Sequence, residues 1–60
     1  MKGQSFIAQR IKELRKRNNI TQKELAEKTG ISLSSIINYE NGMREPNSKA
    51  MAALESYFHV

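Results

Sequence analysis

The chain has 60 residues, too few for a second domain, a large catalytic cleft or an internal repeat of useful length. It is 38% hydrophobic and has no cysteine, so disulfide scaffolding is excluded and a marginal core must be held by well-packed helices. Ten Lys and Arg against six Asp and Glu give a net charge of +4, and the excess is one-sided: Lys2, Arg10, Lys12, Arg15, Lys16 and Arg17 face Glu13 alone in residues 1–17.

Such a field attracts polyanions, which makes nucleic acid or an anionic membrane surface a candidate partner. A solvated helix face is the plain alternative. No stretch approaches the ~18 apolar residues of a membrane span, and the Met-Lys start lacks the apolar run of a signal peptide, so the expectation is a soluble, cytoplasmic protein.

Asn18-Asn19, Thr29-Gly30, Asn41-Gly42 and Glu45-Pro46-Asn47 divide the chain into four stretches of helical periodicity, and none alternates as a strand would. The first stretch starts after Gly3 with Ser5 as candidate N-cap and runs to about Arg17, with Ile7, Ile11 and Leu14 on one stripe. The second opens on Thr21 with Glu24 three residues later, the reciprocal capping-box arrangement, and stops at Gly30. In the third, Ser32 is placed to cap the start and Asn41-Gly42 closes the end. The fourth begins at Asn47 or Ser48, just after Pro46, with Met51, Leu54 and Phe58 at spacings of three and four. Helices under ~12 residues do not hold in water alone, so the expected fold class is all-α, a compact cooperative bundle.

Two charges fall on the inner sides of these helices. At ~100° per residue, Arg15 lies about 40° from Ile11, and Glu40 lies about 40° from Ile36. An unpaired buried charge is costly, whereas an Arg and a carboxylate satisfy each other through a two-pronged fork, so Arg15 and Glu40 are expected to meet. Snorkelling of both to solvent at the bundle edge is the alternative.

Residues 22–41, QKELAEKTGISLSSIINYEN, are the most informative. Two short helices joined by a glycine turn cross closely, which calls for a small side chain at the crossing and a residue tolerant of positive φ; Ala26 and Gly30 supply these. Leu25, Ile31, Ile36 and Tyr39 face inward, leaving Ser34, Ile37, Asn38 and Asn41 on the outer side of the third helix. That side carries hydrogen-bonding groups without charge, which suits a partner with donors and acceptors of its own.

The run TQKELAEKTGIS followed by SIINYENG resembles the helix-turn-helix of the phage lambda repressor and Cro family, also called the xenobiotic-response-element family. The resemblance extends to IKELR in the first helix, MREP after the third and MAALESYFHV in the fourth, covering about residues 6–60. It implies one DNA-binding domain over residues 1–60, with the motif at about 21–41, in a lambda repressor-like bundle of four helices, or five in a longer chain. The function it implies is a sequence-specific regulator of transcription, a repressor above all, that binds a pseudo-palindromic operator as a homodimer.

In this motif the second helix enters the major groove and the first crosses the backbone. By family position the base-edge residues are Ser32, Leu33, Ser34 and Asn38. Asn38 suits adenine, Ser34 discriminates weakly, and Leu33 offers a thymine methyl only apolar surface; its alternative is to tuck against the second helix as core. Ile37 is open between a methyl contact, a partner chain and simple exposure. The resemblance makes Gln22 a phosphate contact that also braces the third helix, and Arg10, Lys23, Asn41 and Arg44 further phosphate candidates. Lys16 and Arg17 read more naturally as solvated charges.

Relatives commonly add a fifth helix at the dimer contact, whereas this sequence stops at Val60, which suggests the N-terminal part of a longer repressor. His59 stands where relatives often have glycine. Tyr57, Phe58 and Val60 are open between core, dimer edge and exposed surface, with core favoured for Phe58. An enzyme is not expected: His59 reads as a solvated cap, Ser34 and Ser35 have no base in predictable reach, and no residue set suggests a metal or cofactor. A membrane-surface helix at residues 6–17 is disfavoured by its narrow stripe, which Arg15 interrupts. The serious alternative is a protein-interaction role on the same fold, such as the antitoxin of a toxin pair.

Overall fold

A computed structural model describes residues 6–60. Four helices make up these residues: α1 (Phe6–Arg17), α2 (Gln22–Thr29), α3 (Leu33–Asn41) and α4 (Ser48–Phe58). The fold is all-α and contains a helix-turn-helix in α2 and α3. The Ser5 cap lies outside the described residues.

Local chemistry sets the helix ends. The Thr21 hydroxyl accepts the Glu24 N–H at 3.0 Å while the Glu24 carboxylate accepts the Thr21 N–H at 2.8 Å, closing the capping box of α2. Asn47 caps α4 by accepting the Ala50 N–H at 2.8 Å. At the other end of α1, the Asn18 amide donates to the Leu14 carbonyl at 2.8 Å and Asn19 turns the chain left-handed at φ 58°. Gly30 ends α2 at φ 75°, where its N–H reaches the Ala26 carbonyl at 2.9 Å. His59 takes the same left-handed turn after α4 at φ 62°, a conformation that costs a residue with a Cβ about 1 kcal/mol.

Every helix contributes to one core: Ile11 from α1, Leu25 and Ala26 from α2, Ile36 and Tyr39 from α3, Ala50 and Leu54 from α4. Half-buried Ile7, Ile20, Ile31, Tyr57 and Phe58 pack around it. Leu25 and Ile36 are wholly enclosed, and burying such a side chain stabilises by about 1.5–3 kcal/mol. α3 packs against both α1 and α2, and α4 against α2. α3 is thus held on two sides, and its remaining side is the one turned away from the core.

Candidate nucleic-acid interface

The inner side of α3 is fixed by buried Ile36, Tyr39 and Glu40. At ~100° per residue, its outer side resolves into two diagonal rows of residues four apart, Leu33–Ile37 and Ser34–Asn38, with Asn41 between their lower ends. Leu33, Ser34 and Asn41 are exposed, while Ile37 and Asn38 are half-buried. No residue of α3 is Lys or Arg. Its one ionised side chain, Glu40, points inward and is only 1% exposed.

Glu40 is the hub that sets the angle of α3. Arg15 Nε donates to Glu40 Oε2 at 2.7 Å, Arg15 Nη2 to Oε1 at 3.1 Å, and Gln22 Nε2 to Oε1 at 3.1 Å. The third arm of the guanidinium, Nη1, donates to the Ile20 carbonyl at 2.9 Å. The carboxylate thus ties α1 and the first residue of α2 to α3, and Arg15 in turn holds the loop before α2. The hydrogen bond to Glu40 raises the Arg15 pKa above its ordinary value; burial works against this and attraction to the carboxylate adds to it. Among the described residues no buried side-chain polar atom lacks a partner, so the hub carries no orphan of the kind that makes buried networks costly.

Ser32 sits at the mouth of α3, but its hydroxyl is engaged: it accepts the Ser35 N–H at 3.2 Å and donates to Ser35 Oγ at 2.9 Å. Of a hydroxyl's one donor and two acceptor sites, that leaves one acceptor for a base edge. Leu33 is 41% exposed and shares a shallow depression with Lys23, Gly30 and Ile31, so it stands at the surface where α2 and α3 meet rather than in the core. Gln22 has one of its amide hydrogens on Glu40, and the amide offers a second.

Asn41 and Arg44 are exposed on either side of Gly42, whose φ of 76° turns the chain out of α3. The Asn38 carbonyl gathers this turn by accepting the N–H groups of Met43 at 3.0 Å and Arg44 at 3.3 Å. Arg10 is placed differently from the other candidates: it lines an apolar groove of about 290 Å³ between α1 and α4, together with Phe6, Phe58, Val60 and Glu55.

Sequence reasoning overlooked Met43, which is 74% exposed just beyond α3, and the bond from Arg15 to the Ile20 carbonyl. Neither leaves a periodic signal, since both lie in turns whose path is set by tertiary packing.

Comparison with known proteins bears on the whole of this surface. Residues 11–60 match the helix-turn-helix family. Over 54 residues the chain is 35% identical to the HTH-type transcriptional regulator ImmR of Bacillus subtilis (strain 168), an alignment covering 90% of this chain and 42% of that protein. The chain therefore spans less than half the length of this relative.

Proposed function

The chain belongs to the Cro/C1-type helix-turn-helix family, and on that premise we propose that it regulates transcription by binding duplex DNA, with α3 as the helix that reads the major groove. The observation that carries this reading is the outer side of α3, uncharged, hydrogen-bonding and methyl-bearing, braced at a fixed angle by the Glu40 hub. A groove reader must be rigid, because a base-edge contact misplaced by a fraction of an ångström is lost.

Roles follow from chemistry and position. Asn38 is suited to a bidentate contact with adenine, Ser34 to a single hydrogen bond, and Leu33 to a thymine methyl. Gln22 and Lys23 at the start of α2, and Asn41 and Arg44 around the Gly42 turn, flank the reader on both sides and are assigned to phosphates, which position the protein without carrying sequence information. Arg10 has the weakest case, given its place in the groove between α1 and α4, away from α3.

One module of this size reads few bases, so the proposal includes a homodimer on a pseudo-palindrome with half-sites ~34 Å apart. Repression by occupying promoter DNA is also part of it, supported by the family rather than by any single residue. Selection of duplexes from a random pool, followed by affinity measurements across a salt series, tests this reading. Neutralising four or five phosphates per subunit gives a slope of log affinity against log salt of about −4 per subunit. A flat response would contradict the assignment.

A further inference from the structure

We infer that the reader helix recognises pyrimidine 5-methyl groups as such, so that its half-site contains adjacent thymines and accepts 5-methylcytosine in their place. This rests on the DNA-binding reading above.

The rows on α3 divide the labour. Leu33 and Ile37, four residues apart and about 40° around the helix, form a continuous aliphatic strip, and Ser34–Asn38 form a polar strip alongside it. Leu33 is 41% exposed, whereas of the two isoleucines that follow it in α3 Ile36 is wholly buried and Ile37 half-buried. Leu33 is thus apolar surface that the fold leaves uncovered. Neither aliphatic side chain can donate to thymine O4 or accept from cytosine N4, so the strip senses the methyl and is blind to the atom beside it.

Guanine gains no contact from the same inventory, including where it pairs with 5-methylcytosine. Its major-groove edge presents two acceptors, best met by the fork of Arg or by Lys, and α3 has neither. The nearby Lys23 belongs to α2, the helix that crosses the backbone. With Asn38 matched to adenine and the aliphatic strip matched to methyls, the favoured half-site is A·T-rich, with adjacent thymines opposite Leu33 and Ile37.

The test uses the duplex enriched by selection, with each half-site thymine replaced in turn by deoxyuridine, cytosine or 5-methylcytosine. At the two positions read by the strip, removing the methyl lowers affinity about fourfold, the worth of one buried methyl, and 5-methylcytosine restores most of what cytosine loses. In Leu33→Ala and Ile37→Ala variants, checked for unchanged helicity, the deoxyuridine effect shrinks at one position each. Equal affinity for thymine and deoxyuridine throughout, or a loss at 5-methylcytosine as large as at cytosine, overturns the inference while leaving DNA binding intact. Enrichment of no duplex at all overturns the DNA-binding reading and this inference with it.

Discussion

Arg15 and Glu40, 25 residues apart, meet in a two-pronged ion pair that fastens the last turn of α1 to the last turn of α3. The carboxylate is 1% exposed and the Arg15 side chain 15%, so solvent does little to replace either partner. Removing Arg15 strands a buried charge, and Arg15→Ala is expected to cost about 3 kcal/mol or more, a large share of the stability of so small a domain. Arg15→Met combined with Glu40→Leu is expected to recover most of that loss. Urea unfolding followed by circular dichroism measures both, and a loss under about 1 kcal/mol for Arg15→Ala would mean that the pair is unimportant.

The pH dependence of that pair has a definite sign. A pKa raised on folding stabilises fully below the unfolded value and ceases to do so as pH rises through the folded one, and Arg15 starts from an arginine's already high value. The stability difference between wild type and Arg15→Ala is therefore expected to stay level between pH 7 and about 10, as read from thermal midpoints of the two proteins. A difference that fades over that interval would show that another group controls the pair.

His59 and Gly30 share a left-handed backbone but not a residue type. His59→Gly relieves the Cβ penalty and is expected to stabilise by about 1 kcal/mol, raising the melting temperature by about 4–8 °C. At Gly30 an added Cβ would meet no atom within 4 Å, so Gly30→Ala is expected to lose only the conformational term, about 1 kcal/mol, and Gly30→Asn less. A loss of several kcal/mol for Gly30→Ala would reveal a close approach between α2 and α3 at the turn that the structure does not contain.

On DNA, Asn38→Ala and Arg44→Ala are expected to fail in different ways. Losing the Asn38 amide costs about 1–3 kcal/mol on the preferred duplex and little on a random one, so selectivity falls. Losing the exposed Arg44 weakens binding to all duplexes alike and reduces the salt slope by about one. Binding isotherms on preferred and scrambled duplexes at several salt concentrations separate the two.

Caps and turns were the most legible part of the sequence because each rests on chemistry within a few residues. Thr21 with Glu24, Asn47 before Ser48, and Gly30 and Gly42 mark helix ends without reference to the rest of the fold. The inner placement of Arg15 and Glu40 was legible from periodicity, but the other contacts of the hub were not. That Gln22 braces a side chain of α3 came with the family resemblance, but that this side chain is Glu40 did not, and the bond from Arg15 to the Ile20 carbonyl depends on the path of a turn. For Leu33, periodicity alone left core and surface open, since a residue at the first position of a helix has its burial decided by the neighbouring helix. Met43 escaped notice because an apolar residue in a turn has no stripe to belong to.

The central claim is that α3 is the surface that meets the double helix, and chemical-shift mapping tests it most directly. Isotopically labelled protein titrated with its selected duplex is expected to show the largest amide perturbations from Leu33 to Asn41, with secondary ones at Gln22, Lys23 and Arg44. Perturbations confined to the groove between α1 and α4, with the amides of α3 unmoved, would contradict it.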